Sequence, residues 1–300
     1  KLPSKGGRLA RAAIKRFVGN TDPARPTLAN PMALRLALLS LSAGLVACYT
    51  TEQLSVESDP EWSKFKATYK KTYKDKDDED EAKVAKKHKG IAGYKGAVAG
   101  AAGQKALKLN GPLSAVLFQD GWLEATAKPT IRLAKFPGTK IETEIGFIIG
   151  KAIDQPISDV DALKAHVEAI VPVIELPAGK LEAAQPMTAL DLAAANVMSA
   201  NYIVGRRNPV AKVNPDRATI RLAKRLARGD EEKNKITGAA AHRGQWQNLL
   251  HQVNHALDQG REIKPGHLIL TGALGKIIPA EPGDWSGDFG ALGKINFSIQ

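Results

Sequence analysis

The stretch KIETEIGFIIGKAI, residues Lys140–Ile153, places two acidic residues at the start of an apolar run. The run over Ile145–Ile149 is apolar apart from one glycine, which is typical of a buried β-strand. Side chains alternate between the two faces of a strand, so Glu142 and Glu144 point to the same side. Two carboxylates that close repel each other unless a positive group lies between them. A hard divalent cation is the simplest candidate for that group.

A cation site on such a strand needs a third ligand. Glu175, in the stretch IVPVIELP, is the next carboxylate embedded in an apolar strand, and a buried carboxylate needs a partner. Glu142, Glu144 and Glu175 together would form an all-oxygen site suited to Mg²⁺ or Mn²⁺. Without the cation, repulsion should raise the pKa of at least one of these carboxyls. From spacing alone a second interpretation stays open, namely a solvated face without a metal, because that is what a Glu-x-Glu pair on a strand more often forms.

The 300 residues suffice for one large domain or two ordinary ones. The formal net charge is +12, but residues 1–31 hold seven Lys or Arg and one Asp and therefore contribute +6 of it. The basic excess thus belongs largely to a leader. No aromatic residues interleave a basic patch and no nucleic-acid-binding motif is present, so we expect no nucleic-acid partner.

Residues 32–48 form an apolar segment that ends at Cys48, the single cysteine of the chain. One cysteine excludes an intrachain disulfide and a cysteine-rich metal site. A Met, an early Arg, an apolar run and small residues are the layout of a secretory signal, and LVAC is similar to a bacterial lipobox that would attach the chain to a membrane through Cys48. The same apolar run also fits a buried core helix.

Residues 49–90 form a highly charged arm, in which aromatic residues recur at helical spacing. Residues 61–79 loosely resemble the helical propeptide of papain-type proteases, but no cysteine follows that could serve as the nucleophile. We therefore interpret 49–90 as a charged helical arm and 91–300 as the main domain.

Residues 91–300 predict a mixed α/β fold rich in strands, because apolar runs are short and turn signals are frequent. Ser158 is the predicted N-cap of a helix over 159–169, followed by a strand over 171–176. An amphipathic helix is predicted over 244–260, with Trp246, Leu249, Leu250, Val253 and Leu257 facing inward and Gly260 at its end. HLILTGAL predicts a central strand that leads to a turn near the site. The sequence around RGDEEKN has high helix propensity, yet it favours a hairpin turn between two strands.

Residues 91–300 also resemble a known family, the 2-keto-4-pentenoate hydratase branch of the fumarylacetoacetate hydrolase superfamily. The resemblance covers about two thirds of the chain. It lies in six stretches that follow the order found in the family: GYKGAVAGAAGQKALKLNGPLSAVLF, IETEIGFIIGKAI, AIVPVIELP, DLAAANVMSANYIVG, LILTGALGKIIPAEPGD and FGALGKINFSI.

The resemblance implies a bent β-sheet core with flanking helices, and it implies a metal-dependent hydro-lyase. It assigns Mg²⁺ or Mn²⁺ to Glu142, Glu144 and Glu175, places Lys95 beside the substrate, and makes Asp120 a residue that helps to order the site. The implied substrates are 2-hydroxy-2,4-dienoates or their 2-oxo tautomers, which gain water to give 4-hydroxy-2-oxo acids. We expect a cytoplasmic homo-oligomer, or a secreted or lipid-anchored protein if residues 32–48 act as a signal.

Three alternatives stay open at this point. Decarboxylation of a 2-oxo-3-enedioate would use the same site, and hydrolytic C–C cleavage is less favoured because no histidine occurs between His88 and Glu142. A non-catalytic, secreted or membrane-tethered scaffold is the third, since Ala99 and Gly100 replace the hydroxyl pair that the family carries after the lysine. For an enzyme, we expect partial burial near a cation to lower the pKa of Lys95, so that it can shuttle protons.

Overall fold

A computed structural model describes the part of the chain that contains the resemblance. The described residues are 88–98, 105–107, 113–179, 192, 195–241 and 243–300. The predicted leader (1–31), the signal-like segment (32–48) and all but the end of the charged arm (49–90) lie outside them, as do Ala99 and Gly100. The expectations about these segments therefore stay predictions.

Fourteen strands and two α-helices follow one another along the described residues. The strands are β1 Ile91–Ala97, β2 Leu113–Phe118, β3 Trp122–Glu124, β4 Thr130–Ile131, β5 Lys140–Ile149, β6 Val167–Leu176, β7 Asn201–Val204, β8 Asn208–Pro209, β9 Thr219–Leu226, β10 Gly229–Thr237, β11 Leu268–Leu270, β12 Ile278–Pro279, β13 Gly283–Asp288 and β14 Lys294–Ile299. The helices are α1 Val160–Lys164 and α2 Gln245–Asp258. The predicted class, mixed α/β with a preponderance of strands, is confirmed.

The strands form two curled sheets. The larger sheet has the order β2-β1-β11-β5-β6-β7-β3, with β12 paired to β5 and β8 paired to β6. The smaller sheet has the order β10-β9-β13-β14-β4. The long strands β5 and β6 run antiparallel in the middle of the larger sheet, and β11 lies on the other side of β5. The stretch LIL of HLILTGAL is therefore a central strand, as predicted.

The two faces of the larger sheet have different neighbours. One face packs against the smaller sheet and α2 in a large apolar core, to which β5 contributes Ile145 and Phe147 and the smaller sheet contributes Leu222 and Phe297. The opposite face carries a second buried cluster that includes Ile148 of β5. Because side chains alternate along a strand, the even-numbered residues of β5, including both glutamates, face away from the smaller sheet.

The predicted helix over 159–169 is wrong in length. Helix α1 ends at Lys164, and the strand begins at Val167, where backbone pairing with β5 replaces helical hydrogen bonds. Tertiary pairing overrides local helix propensity here. The N-cap is Asp159 and not Ser158, because the Asp159 carboxylate accepts a 2.9 Å hydrogen bond from the Ala162 N–H.

The predicted helix over 244–260 is confirmed as α2, but its buried face differs from the prediction. Leu249 and Val253 are fully buried as expected, whereas the other three predicted positions are half-buried at the edge of the core. The helix instead buries the polar side chains of Gln245, Asn248 and Gln252. A hydrophobicity pattern cannot indicate this rotation, because it assigns polar side chains to solvent.

The ambiguous region around RGDEEKN forms the predicted hairpin of β9 and β10. The turn is shorter than expected, since Leu226 pairs with Gly229 and the connection consists of Ala227 and Arg228. The acidic residues that follow belong to β10. Within the ranges that the structure describes, no helix has the length and apolar character needed to cross a membrane.

Gly93 lies where β1 packs closely against β11. Its φ of +149° is rarely adopted by L-residues, and a Cβ built on it would lie 1.9 Å from the Leu268 carbonyl oxygen. Gly229 has a φ of +119° but open space around it. We expect Gly229→Ala to lower the free energy of unfolding by about 1–3 kcal/mol through backbone strain. Gly93→Ala should lower it by about 1–3 kcal/mol more, because the strands must also move apart.

Denaturant unfolding of the two variants and the unchanged chain measures this difference. Equal losses for Gly93→Ala and Gly229→Ala would contradict the close approach of β1 to β11.

Candidate metal centre

The register of β5 and β6 brings the predicted glutamates together. Glu142 lies directly opposite Glu175 in this antiparallel pair, and Glu144 lies two residues further along the same face. One carboxylate oxygen from each residue lies within 4.8 Å of those of the other two. Glu144 and Glu175 are each 1% exposed, and Glu142 is partly buried. Three acids predicted from separate stretches thus share one small volume.

Lys95 supplies the one positive side chain that is found in contact with this cluster among the described residues. It lies on β1, is 2% exposed, and forms an ion pair with Glu175 through Nζ and Oε1. The position follows from sheet order, because β1 pairs with β11 and β11 pairs with β5. The structure therefore brings Lys95 to the three glutamates, although it is far from them in sequence.

A backbone donor from the turn after β11 completes the contacts of Glu144. The Gly272 N–H donates a 3.1 Å hydrogen bond to Glu144 Oε2. This turn belongs to the stretch that the sequence predicted to lie near the site, but the contact comes from the main chain. In the sequence, only the Thr-Gly-Ala-Leu motif points to a backbone donor here. The motif does not reveal that Glu144 accepts the hydrogen bond.

Burial and repulsion raise the pKa of two carboxyl groups, those of Glu142 and Glu144. Burial is the largest cause and Glu175 the next, and together they raise the pKa of Glu142 to about 7 against the opposing effect of Lys95. Burial, followed by Glu175 and Glu142, raises the pKa of Glu144 well above its ordinary value. The expectation that a cation-free site raises at least one carboxyl pKa is confirmed.

The acidic neighbours of Lys95 raise its pKa. Burial opposes the charged form, but the attraction of Glu175, Glu142 and Glu144 outweighs that effect. The expected lowering concerns Lys95 beside a bound cation and stays a prediction. These contacts favour the ammonium form of Lys95.

The donor set fits a hard divalent cation. Three carboxylates and one ammonium leave two uncompensated negative charges when all are ionised, in a place where water is largely excluded. Glu175 Oε2 is buried and has no hydrogen-bond partner, although buried oxygens are normally satisfied. An oxygen-only site with a free lone pair suits Mg²⁺ or Mn²⁺.

Asp120 lies apart from this cluster, at the surface. Its side chain is 39% exposed and its Oδ2 lies 2.9 Å from His88 Nδ1. Tyr202 lies between Asp120 and the cluster, since it pairs with Glu175 across β6 and β7 and its hydroxyl donates a 2.8 Å bond to the Phe118 carbonyl. Burial, Asp120 and Glu175, in that order, raise the pKa of Tyr202.

Sequence reasoning missed His88 and Tyr202. Neither belongs to a spacing pattern that distinguishes it from a structural residue. Their positions depend on strand pairings that only the folded chain reveals.

Comparison with known proteins gives sequence relatives that include hydratases and a decarboxylase. A scan against models of known protein families finds no match. A 2-keto-4-pentenoate hydratase of Paraburkholderia xenovorans is 26% identical over 181 residues, which cover 60% of this chain and 65% of the relative. The match thus spans slightly less than two thirds of that protein. A 4-oxalocrotonate decarboxylase of a Pseudomonas species is 26% identical over 183 residues, covering 61% of this chain and 68% of the relative.

Solved structures with the same fold extend this similarity. The 4-oxalocrotonate decarboxylase of Pseudomonas putida G7, complexed with magnesium and adipate, has a TM-score of 0.66 at 16% identity, over 99% of this chain and 97% of that one. A fumarylpyruvate hydrolase of Pseudomonas aeruginosa, in complex with Mn²⁺ and pyruvate, has a TM-score of 0.51 at 16% identity, over 69% of this chain and 88% of that one. The sequence relatives support the resemblance to 2-keto-4-pentenoate hydratases, and the solved structures show that the fold is shared.

The raised pKa of Glu142 predicts a pH effect on stability. Its folded-state pKa of about 7 lies above the ordinary value of 4.5, so its contribution is fully present below pH 4.5 and is lost as the pH rises through 7. In EDTA, Glu142→Gln should therefore become more stable relative to the unchanged chain as the pH rises from 4.5 to 7. The relative gain should be at most about 1.4 kcal/mol per pH unit.

Denaturant unfolding of both proteins at a series of pH values measures this difference. Added Mg²⁺ should reverse it, because the cation favours the ionised site of the unchanged chain. A difference in stability that does not vary with pH would contradict the raised pKa.

Proposed function

We propose that the chain is a divalent-cation-dependent hydro-lyase. In this proposal it adds water to a 2-hydroxy-2,4-dienoate, through the 2-oxo tautomer, to give a 4-hydroxy-2-oxo acid. The observation that carries the proposal is the buried cluster of three glutamates in contact with Lys95. The curated hydratase relatives support the reaction class.

Glu142, Glu144 and Glu175 would hold the cation, and the unpartnered Oε2 of Glu175 supports this role. When bound, Mg²⁺ or Mn²⁺ would supply Lewis-acid stabilisation of negative charge on the substrate oxygens. A 2-oxo acid suits such a site because its carboxylate and 2-oxygen are adjacent hard ligands. A cation held by the three carboxylates would therefore favour a substrate that approaches with its acid end first.

The ammonium of Lys95 would deliver the first proton. Conversion of the dienol to its conjugated 2-oxo tautomer removes the proton of the 2-hydroxyl group and adds one at C5, so the overall composition is unchanged. Lys95 Nζ can give the proton at C5 and recover the one from oxygen. Water then adds with its hydroxyl at C4 and a proton at C3. Burial of Lys95 keeps bulk water from competing for these protons.

Asp120 would act at the outer edge of the site. Its link to His88 holds the carboxylate in place, and its charge acts on Tyr202, the neighbour of Glu175. In this role Asp120 orders the entrance and does not touch the cation.

A decarboxylase is the second candidate function. It is favoured by the relative named 4-oxalocrotonate decarboxylase, of which the match covers 68%. The same residues would then assist loss of CO₂ from a 2-oxo-3-enedioate, with a proton from the protein replacing the lost carboxyl group. The decarboxylation releases CO₂, whereas the hydration consumes water. Measurement of CO₂ from the dioic acid and of water uptake by the dienoate separates them.

The cation site predicts a metal-dependent increase in melting temperature. Saturating a site at a hundredfold excess over Kd stabilises the native state by about 2.7 kcal/mol. Mg²⁺ or Mn²⁺ should raise the melting temperature of the unchanged chain relative to EDTA, and Glu175→Gln should abolish most of that shift. Glu168→Gln is the matched control, since Glu168 lies on the same strand but is exposed and pairs with Arg207.

The control should respond to metal as the unchanged chain does. If the unchanged chain shows no response to millimolar Mg²⁺ or Mn²⁺, the three-glutamate cation site is wrong and the scaffold interpretation replaces it.

Substitution of Lys95 should separate cation binding from turnover. Lys95→Met keeps the side-chain volume and removes the ammonium, so it should retain the metal-dependent shift and reduce turnover by about 10²–10⁴-fold, the range for loss of a general acid. Turnover is followed with 2-hydroxypenta-2,4-dienoate and Mn²⁺ by the loss of diene absorbance and by mass spectrometry of the product.

Lys294→Met is the control, because Lys294 is exposed and pairs with Asp288 on the smaller sheet. Full turnover by Lys95→Met would exclude Lys95 as the proton donor.

A further inference from the structure

Asn234 connects the smaller sheet to the strand that carries two of the glutamates. It lies on β10, next to an irregularity in the pairing with β9, and its side chain is 5% exposed. Its Nδ2 donates hydrogen bonds to the Leu274 carbonyl at 2.9 Å and to Thr143 Oγ1 at 3.2 Å. Its Oδ1 accepts a 3.3 Å bond from the Lys276 N–H. One buried amide thus contacts both β5 and the segment that follows β11.

Thr143 is the partner on β5. It lies between Glu142 and Glu144, and its side chain points to the opposite face of the sheet. Its hydroxyl donates a 2.9 Å bond to the Leu274 carbonyl, and the Leu274 N–H donates a 2.8 Å bond to the Thr143 carbonyl. Asn234 therefore reinforces an existing contact between β5 and the segment Gly272–Lys276.

The fit between Asn234 and this segment is close. A Cβ built on Gly275 would lie 2.4 Å from Asn234 Oδ1, and Gly275 has a φ of +79°. Both the space and the backbone conformation therefore require glycine at this position. The amide and the segment fit together so closely that loss of the Asn234 side chain would leave a gap beside the segment.

The other end of the segment contacts the cation site. The Gly272 N–H donates to Glu144 Oε2, and only one residue separates Gly272 from Leu274. A backbone donor fixes the orientation of a carboxylate and favours its ionised form. If the segment shifts, Glu144 loses this donor while keeping its place on β5.

We propose that Asn234 is a positioning residue for the cation site. It fastens the segment Gly272–Lys276 to β5 through Thr143 and Leu274, and thereby presents the Gly272 N–H to Glu144. The inference rests on the proposed function, because it assigns Asn234 to the cation affinity of that site. Asn234 itself touches neither the cation nor the substrate.

Asn208 provides a matched control. It is likewise a buried asparagine, 6% exposed, and its Nδ2 donates to the carbonyls of Ile170, Arg206 and Leu292 at 3.0–3.1 Å. Asn208→Ala thus removes a comparable set of buried hydrogen bonds elsewhere on the sheet. It should lower stability to a similar degree without altering the environment of Glu144.

The experiment compares the full chain with Asn234→Ala and Asn208→Ala, using Mn²⁺ alone as the probe in isothermal titration calorimetry. Loss of groups that orient metal ligands typically weakens metal affinity 10–100-fold. We expect Asn234→Ala to raise Kd by about tenfold, the lower end of that range. Asn208→Ala should leave Kd within twofold of the value for the unchanged chain, which is a change in binding free energy of at most about 0.4 kcal/mol.

Amide hydrogen exchange without metal provides a second measurement. Asn234→Ala should accelerate exchange in a peptide covering Gly272–Lys276, whereas Asn208→Ala should not. Thr143→Val removes the shared hydroxyl and preserves side-chain shape, so it should cause the same changes. It replaces Asn234→Ala as the test variant if Asn234→Ala fails to fold. Combining it with Asn234→Ala should weaken Mn²⁺ binding by less than the product of the single effects.

The outcomes separate this inference from the proposed function. Equal Mn²⁺ affinities for Asn234→Ala and Asn208→Ala, with normal binding by the unchanged chain, would overturn the role of Asn234 and leave the cation site standing. No Mn²⁺ binding by the unchanged chain would overturn both.

Discussion

The pairing of β5 with β6 is the constraint on which the site depends. It places Glu142 opposite Glu175 and keeps Glu144 on the same face. Glu142 and Glu144 lie in settings that disfavour their charge, and the neighbouring carboxylates increase the penalty. Stable packing alone does not favour such a cluster. Lys95 offsets part of the repulsion, and a divalent cation would balance the negative charge that remains.

The larger sheet divides its two faces between stability and chemistry. The face toward the smaller sheet and α2 is continuous apolar core, in which Phe147 and Ile174 are fully buried. The other face carries the carboxylates and Lys95 above a smaller apolar cluster. A rigid sheet can hold like charges at fixed separation because moving them would require breaking the ladder. The apolar core on the opposite face therefore contributes, together with the Lys95 ion pair, to holding the acids in place.

Local patterns were sufficient for the parts of the site that lie on single strands. The period-two spacing of Glu142 and Glu144 predicted their common face, and the apolar context of Glu175 predicted its burial. The ion pair of Lys95 with Glu175 depends on sheet order, which no local pattern contains, and its raised pKa depends on three acids that come from two strands. The backbone donor of Gly272 leaves no side-chain signature. In the same way, α1 is short because pairing with β5 begins at Val167, and the buried amides of α2 depend on which elements lie beneath them.

The alternation of β5 also limits how this site can change in evolution. Inserting one residue between the turn at Gly138 and Glu142 would exchange the faces of the strand, placing the two glutamates against the apolar core and Ile141 in the position that Glu142 now occupies. A second, compensating length change would be needed to restore the arrangement. Single substitutions meet no such barrier, and neither do length changes in surface connections such as the one between α1 and β6. Lineages that keep this sheet should therefore differ by substitutions and loop lengths, while the number of residues in β5 stays fixed.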